Sequence, residues 1–205
     1  VVSAKVDQLA KIIHERKEIS GEATGFYRTD IPEEIRDLWN LRKKGVGLLG
    51  NTKGRRKPIP FVEDTAVPPE NLAAYILEFR DLLESFGLEY ALFGHVDVGC
   101  LHVRPALDLK TTEDEEIVRK ISDGVCRLVR KYGGVMWAEH GRGFRTEYTE
   151  EHFGSELYQE LRRIKQVFDP FNQLNPGKIV TPLESKEQTV SVEAPLRGHR
   201  DRQIH

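Results

Sequence analysis

Two histidines on either side of a tight turn constrain the fold of this chain more than any other feature of its sequence. Residues 92–104 read LFGHVDVGCLHVR, with His95 and His102 seven positions apart. Because side chains alternate along a strand, residues seven apart face opposite ways on one straight strand. A turn formed by Asp97 and Gly99 removes this difficulty. The pattern therefore predicts a hairpin at whose end both imidazole rings converge.

A second apolar stretch, VMWA, ends in a carboxylate and a third imidazole, Glu139 and His140. A lone histidine at a strand end is more often structural, but His95, His102 and Glu139 together form a ligand set suited to a catalytic divalent metal. Consecutive strand residues face opposite ways, so His140 reaches the same site only if the chain turns there. Gly141 permits such a turn. The expected division is three metal ligands with His140 beside them.

Hydrophobic periodicity over residues 59–148 alternates between the periods of strands and helices. The predicted order is strand, helix, strand, strand, helix, strand. This order is typical of the α+β class and predicts a ferredoxin-like split βαββαβ antiparallel sheet with two helices on one face. The predicted strands are 60–67, 90–96, 100–107 and 135–138, and the predicted helices are 68–86 and 111–132.

Helical extensions are expected on both sides of this sheet. Residues 3–15 and the segment after Asp30 predict two helices before it, and residues 150–168 predict one after it. The apolar face of the second helix is expected to be mostly core, although it ends in Arg42, an unusual core residue. The predicted organisation is a helical lead-in at 1–58, a ferredoxin-like metal domain at 59–148, a C-terminal helix with an Asn-Pro-Gly-Lys segment at 149–182, and a tail or linker at 183–205.

The composition is typical of a water-soluble globular protein, with 39% hydrophobic and 31% charged residues. A net charge of −2 gives no overall attraction to nucleic acid or to anionic membranes. No apolar run approaches the roughly 20 residues of a membrane span. Cys100 and Cys126 are too few for a disulfide framework, which favours a reducing cytoplasmic compartment. Because Val1 is not an initiator methionine, we expect the chain to be processed or excised from a longer one.

Three motifs follow one another along the chain: Gly94-His95-Val96 with Leu101-His102, Glu139-His140-Gly141, and Leu174-Asn175-Pro176-Gly177-Lys178. In this order they resemble the C-terminal region of FAD-linked oxidases. The likeness covers roughly residues 32–182, and the family includes D-lactate, glycolate and D-2-hydroxyglutarate dehydrogenases. The wording FVEDTAVPPE at 61–70 and GCLHVRP at 99–105 looks most like large bacterial members, which carry an iron–sulfur segment after the flavin enzyme.

The resemblance implies a role for each matching residue. A divalent metal, expected to be zinc, is held by His95, His102 and Glu139, and His140 is the proton acceptor. Two departures concern the hairpin: the family usually has Gly-Asp-Gly-Asn at residues 97–100, and an asparagine that contacts substrate stands where this chain has Arg104. The other implied positions are Arg42 for a substrate carboxylate, Arg104 and Lys57 as further substrate contacts, and Asn175, Gly177 and Lys178 on the flavin side. For Lys57 a solvated surface lysine is the alternative.

The resemblance also implies an activity. A D-2-hydroxy acid, of the D-2-hydroxyglutarate or D-lactate type, is oxidised to the 2-oxo acid, and hydride passes to FAD. On this view the chain is the substrate or cap domain, with FAD bound mainly by a domain before it and an iron–sulfur cluster in a segment after it. An acceptor protein or quinone takes the electrons, and the expected location is the cytoplasm or the periphery of the inner membrane. Nucleic acid is not an expected partner, and self-association into a homo-oligomer is left open.

Two other functional classes share these residues. A zinc-dependent hydrolase also uses two histidines and a glutamate to activate water, but it needs a nearby carboxylate base. A non-catalytic ligand-sensing module is the other alternative, because the ferredoxin-like fold alone does not determine function.

Overall fold

The computed structural model describes residues 2–15, 25–48, 53–141 and 143–189. The chain forms two compact units, Val1–Leu48 and Leu49–His205. The predicted tail beyond residue 189 lies outside the described residues. No helix in the described ranges is both long and apolar enough to cross a membrane.

The first unit contains two helices, α1 (Val2–Glu15) and α2 (Pro32–Leu48). Pro32 begins α2, and two glutamates lie in its first turn, where they complement the positive end of the helix dipole. The apolar faces of both helices line a groove of about 560 Å³ that includes Trp39 and Arg42. The face predicted to be core is therefore an open groove, because two helices alone cannot enclose an apolar stripe.

The second unit is organised around strand β4 (Cys100–Leu107), which is buried along almost its whole length. Strand β3 (Tyr90–His95) pairs antiparallel with one edge of β4, from Tyr90 opposite Pro105 to His95 opposite Cys100. Two short strands, β1 (Lys57–Pro58) and β2 (Thr65–Ala66), pair antiparallel with the two ends of the other edge. The predicted central hairpin is thus confirmed.

Two helices cover the sheet, as predicted. They are α3 (Leu72–Ser85), preceded by a 3₁₀ turn, and α4 (Thr112–Lys131). Thr111 caps α4, because its hydroxyl oxygen accepts a hydrogen bond from the Asp114 N–H at 3.3 Å. The helices pack against each other and against β4. The fully buried members of this core include Tyr75, Phe79, Leu83, Val103, Val118, Ile121, Val125, Val129 and Met136.

Two predicted strands are not continuous strands. Residues 60–67 contain only β2, because Pro60 cannot donate to a ladder and Asp64 adopts a left-handed φ of 75°. In place of the strand predicted at 135–138, Val135 forms one isolated bridge with Ala66. The α+β class is confirmed, whereas the ferredoxin-like arrangement stays a prediction.

The helix predicted at 150–168 is broken in two by Gly154, whose φ is 80°. The pieces are α5 (Thr149–Phe153) and α6 (Ser155–Phe168), and 3₁₀ turns over Gly143–Tyr148 precede them. Arg162 of α6 donates hydrogen bonds to carbonyl oxygens of the segment that follows, including those of Thr181 and Pro182 at 3.2 and 2.8 Å. This arginine holds the segment at 181–185 against α6.

Candidate metal and catalytic site

The turn of the β3–β4 hairpin brings His95 and His102 together. His95 ends β3, a 3₁₀ turn follows, and Gly99 has a φ of 69°. A Cβ atom at Gly99 would overlap the carbonyl oxygen of Val67, so only glycine fits this position. The two imidazole rings lie edge to face with centroids 5.5 Å apart. The hairpin therefore places both rings at one end of the sheet, as the spacing predicts.

Glu139 completes a set of three converging donors. Its Oε2 atom lies 3.5 Å from Nε2 of His95 and 3.6 Å from Nε2 of His102, and the three donor atoms lie within 4.8 Å of one another. Donors about 2.0–2.1 Å from a tetrahedral zinc ion are separated from each other by roughly 3.3 Å. Two imidazole nitrogens and a carboxylate oxygen at these separations fit a divalent metal.

Asp64 explains how consecutive residues both reach this site. Its two carboxylate oxygens accept hydrogen bonds from the backbone N–H groups of Glu139 and His140, at 2.8 and 2.9 Å. These bonds turn the chain where a strand ladder would otherwise continue, and Gly141 follows with a φ of 73°. The His140 ring then stacks on the His102 ring, with centroids 4.9 Å apart and planes 9° apart.

Glu63 lies on the opposite side of the two stacked imidazoles from Glu139. Its Oε1 atom is 3.3 Å from Nδ1 of His140 and 3.9 Å from Nδ1 of His102. Arg104 binds the same carboxylate with two hydrogen bonds, Nη2 to Oε1 at 3.0 Å and Nε to Oε2. Glu63 is buried, so this pairing offsets the cost of removing its charge from water.

Arg145 joins the segments that carry these side chains. Its guanidinium donates to the backbone oxygen of Glu63 and to that of Gly141 at 3.3 Å, and Nη2 lies 3.7 Å from Asp64 Oδ2. Burial lowers the pKa of Arg145, and the nearby carboxylates oppose that shift. Among the described residues, the three carboxylates of Glu63, Asp64 and Glu139 lie near two guanidinium groups, and this balance favours a cation.

Residues Glu63, Asp64 and Arg145 were not predicted as site residues. Glu63 and Asp64 are two adjacent acids within an apolar stretch. Because alternate side chains of an extended segment point inward, at least one of them had to face the interior. The sequence therefore indicated a buried acid at this position, although it did not indicate which residues pair with Glu63 and Asp64.

The site is closed on one side and open on the other. His102 is almost fully buried, and this burial lowers its pKa and so favours the neutral imidazole that a metal requires. The side chains of His95, Glu139 and His140 are 35%, 42% and 52% exposed. Solvent and small molecules therefore reach the donors from the side of these three residues.

Other groupings of nearby donors are less suited to a metal. Glu63 is already bound by Arg104, and Asp64 already accepts two backbone N–H groups. Cys100 lies 3.7 Å from Nε2 of His102, but burial raises the pKa of its thiol to about 11. A protonated thiol is a poor ligand. The donor set of two histidines and Glu139 is therefore favoured.

The predicted substrate contacts lie in three different parts of the chain. Arg42 belongs to the first unit, where its guanidinium lies 5.6 Å from the centroid of the Trp39 ring. Lys57 begins β1 with an exposed side chain. Arg104 is bound to Glu63 and lies over the Phe93 ring at 5.5 Å. Substrate binding by these three residues stays a prediction.

The predicted flavin-side residues lie in the loop after α6. Asp169 shapes this loop, because its carboxylate accepts the N–H groups of Gln173 and Leu174, both at 2.8 Å. The N–H of Ile179 donates to Thr146 Oγ1 at 3.0 Å, which ties the loop to the turn that carries Arg145. In this loop Asn175 is exposed, Gly177 is buried, and burial lowers the pKa of Lys178.

Relatives of this chain are named for oxidation of 2-hydroxy acids. A D-2-hydroxyglutarate dehydrogenase of Pantoea ananatis is 57% identical over 184 residues, which cover 90% of this chain and 18% of the relative. One of Haemophilus influenzae is 52% identical over 205 residues, 99% of this chain and 20% of the relative. A D-lactate dehydrogenase of Archaeoglobus fulgidus is 34% identical over 131 residues, 64% of this chain and 29% of the relative. The chain thus spans about a fifth of the length of the first two.

The family model for the C-terminal domain of FAD-linked oxidases matches residues 3–179. The match covers most of both compact units and every residue of the three-donor site. It also agrees with the resemblance of the histidine, glutamate and Asn-Pro-Gly-Lys motifs. This chain belongs to the family of FAD-linked oxidase C-terminal domains.

Proposed function

We propose that this chain is the substrate domain of an FAD-dependent dehydrogenase that oxidises a D-2-hydroxy acid, first of all D-2-hydroxyglutarate, to the 2-oxo acid. The substrate is inferred from the names of the relatives that are 57% and 52% identical. Within this proposal, residues 59–148 are the substrate and metal domain, 1–58 its helical lead-in, 149–182 the flavin-side segment, and 183–205 a tail or linker.

The observation that carries the proposal is the convergence of three donors beside a further imidazole. His95, His102 and Glu139 meet on the open side of the site, and His140 is stacked on His102. A three-ligand site with access from solvent leaves a coordination position for a substrate. When bound, a divalent metal such as zinc supplies Lewis acidity toward the 2-hydroxyl group, and FAD supplies the acceptor for hydride.

The residues of this chain then have separate tasks. His95, His102 and Glu139 hold the metal. His140 is neutral when it acts, and its imidazole takes the proton of the 2-hydroxyl group as a general base. Asp64 and Arg145 fix the turn from which Glu139 and His140 project.

Substrate recognition is assigned to cationic side chains, because a 2-hydroxy acid such as D-2-hydroxyglutarate carries two carboxylates. Arg42 binds one of them with its planar guanidinium, which can donate two parallel hydrogen bonds. Lys57 and Arg104 are the candidates for the second carboxylate. Asn175, Gly177 and Lys178 are the candidates for contact with the flavin.

The remaining parts of the proposal concern the longer protein. FAD is held mainly by a domain before this chain, an iron–sulfur cluster lies in a segment after it, and a protein or quinone accepts the electrons. The cytoplasm, or the periphery of the inner membrane, is the proposed location.

A hydrolase is less favoured for a reason found in the site itself. Zinc hydrolases need a carboxylate that activates the metal-site water. Of the nearby carboxylates, Glu63 is bound by Arg104 and Asp64 by two backbone N–H groups. His140 is left as the base beside the donors, and a histidine base suits removal of a hydroxyl proton.

The experiment is reduction of the flavin in the full-length protein that contains this chain, mixed anaerobically with D-2-hydroxyglutarate or D-lactate. We expect reduction by one of them, and a rate about 100- to 10,000-fold lower in His140→Ala, because a general base is lost. His14→Ala, at an exposed histidine of α1, is the matched control and should react at the wild-type rate. Absence of reduction by D-2-hydroxy acids, or an unchanged rate in His140→Ala, would contradict the proposal.

A further inference from the structure

The stacked rings of His102 and His140 share one orientation between two carboxylates. On one side, Oε1 of Glu63 faces both Nδ1 atoms, at 3.9 Å for His102 and 3.3 Å for His140. On the other side, Oε2 of Glu139 faces both Nε2 atoms, at 3.6 and 3.9 Å. Each ring therefore has its Nδ1 atom on the buried side of the site and its Nε2 atom on the open side.

The position of the imidazole proton decides which ring nitrogen can act. A neutral imidazole carries its proton on one nitrogen, and the other nitrogen is then the acceptor. An ionised carboxylate only accepts hydrogen bonds, so the nitrogen held nearest to a fixed carboxylate gains most by carrying the proton. For His140 that nitrogen is Nδ1, because Glu63 is closer to the ring than Glu139 is.

His102 points to the same conclusion from a different observation. Its Nδ1 atom is buried and has no hydrogen-bond partner among the described residues. A metal on Nε2 requires the proton to be on Nδ1, and Glu63 Oε1 is the carboxylate oxygen that faces it. Histidine ligands of metals commonly direct their second N–H toward a carboxylate, and Glu63 Oε1 lies on that side of His102, at 3.9 Å.

We propose that Glu63 is a positioning residue that keeps His140 and His102 protonated on Nδ1, so that both present a bare Nε2 atom to the open side of the site. For His140, Nε2 is then the atom that takes the substrate proton. This inference rests on the proposed function for the role of His140, but the tautomer itself is a property of this chain alone.

Arg104 has a part in the same arrangement. Its two hydrogen bonds hold the Glu63 carboxylate in place and set a guanidinium charge beside it. The Phe93 ring lies against the guanidinium of Arg104, with its centroid 5.5 Å from the Cζ atom. In this arrangement Arg104 acts on the two histidines through Glu63.

The test is a nuclear magnetic resonance measurement of histidine tautomers in the full 205-residue chain, labelled with ¹⁵N in histidine and held at a mildly alkaline pH. Two-bond and three-bond couplings between ring protons and ring nitrogens distinguish the tautomers. A neutral histidine side chain in water prefers the proton on Nε2. We expect His140 to show the opposite tautomer, with the proton on Nδ1, both before and after addition of Zn²⁺.

Glu63→Met removes the acceptor and keeps the approximate length of the side chain. In this variant we expect His140 to return to the tautomer with the proton on Nε2. Asp114→Asn is the matched control, because Asp114 is also a buried carboxylate bound by an arginine, Arg56, and lies in the same unit. The tautomer of His140 should not change in the control.

Two results would overturn the inference: an Nε2–H tautomer of His140 in the wild-type chain, or an Nδ1–H tautomer that persists in Glu63→Met. If Glu63→Met does not fold, the wild-type tautomer decides alone. Failure of the proposed function is recognised separately, as flavin reduction that is independent of His140, and it leaves the tautomer measurement unaffected.

Discussion

At the scale of single residues, the geometry of the two hairpin histidines depends on Gly99. Its left-handed φ of 69° and its contact with the Val67 carbonyl leave no room for a side chain. We expect Gly99→Ala to lower the free energy of unfolding by about 2–5 kcal/mol, from backbone strain and overpacking together. It should also weaken zinc binding, because His95 and His102 flank the turn. Urea unfolding and equilibrium dialysis with Zn²⁺ measure both effects.

Gly133→Ala is the control for this change. Gly133 has nearly the same φ, 67°, but apart from its chain neighbours no atom of the described residues lies within 4 Å of the position of its Cβ. The expected cost is therefore strain alone, about 1–2 kcal/mol, with zinc binding unchanged. Equal effects of the two substitutions would show that close packing at Gly99 does not hold the hairpin.

A second residue-scale prediction concerns Arg42. Arg42→Lys in the full-length protein should raise the KM for the 2-hydroxy acid by about 10- to 100-fold, because a lysine ammonium cannot donate two parallel hydrogen bonds to a carboxylate. Arg36→Lys, at an exposed arginine of the same helix paired with Glu33, is the control. Steady-state kinetics give the KM of each variant for comparison with the wild type. An unchanged KM in Arg42→Lys would show that Arg42 does not contact the substrate.

The sequence could predict the residues of the site that depend on local spacing. His95 and His102 lie on one hairpin, and the Asp97–Gly99 turn between them can be recognised from composition. Glu63 could not be assigned in the same way, because its partners Arg104 and His140 are distant in sequence and meet it only in the folded chain. The turn at Glu139 likewise depends on Asp64, 75 positions earlier.

At the scale of elements, the contact between α3 and α4 holds the sheet and its hairpin in place. Leu83 of α3 is fully buried. Leu83→Ala should lower the free energy of unfolding by about 2–5 kcal/mol, from lost apolar burial and the cavity left behind. Leu77→Ala, at an exposed leucine of the same helix, should cost less than about 0.5 kcal/mol.

The measurement is urea unfolding followed by the fluorescence of Trp137, in a Trp39→Phe background so that the signal comes from the second unit. Similar losses for Leu83→Ala and Leu77→Ala would contradict the packing of α3 described above.

Elements with clear start and stop signals could be predicted from the sequence. Examples are α4, capped by Thr111, and β4, whose observed bounds equal the predicted ones. The fate of the strand predicted at 135–138 could not be judged from the local sequence. Directly after it, the N–H groups of Glu139 and His140 donate to the side chain of Asp64 instead of to a neighbouring strand. The outer strands of the sheet are thus decided by tertiary contacts rather than by periodicity.

At the scale of the whole molecule, the buried thiols link stability to pH. Burial raises the pKa of Cys126 from 9.0 to about 11. Between these two values the unfolded chain loses the thiol proton while the folded chain keeps it, so the free energy of unfolding falls as pH rises. The stabilisation that comes from keeping the Cys126 thiol protonated is fully present below pH 9 and is lost as the pH rises toward 11.

We therefore expect the urea midpoint to fall between pH 8 and pH 10 by a smaller amount in Cys126→Ala than in the wild type. Other groups also titrate in this range, and the comparison with Cys126→Ala isolates the thiol. An identical fall in both proteins would mean that Cys126 is not protected from water in the folded state.

We expect His95, His102 and Glu139 to bind one divalent metal, and His140 to lie beside it without binding it. Zinc content after equilibrium dialysis of the full 205-residue chain tests it most directly, with circular dichroism to confirm folding. We expect one zinc ion per wild-type chain, loss of zinc in His95→Ala, His102→Ala and Glu139→Ala, and full retention in His140→Ala. A wild-type chain without zinc, or a His140→Ala chain that loses zinc as completely as the other three, would contradict it.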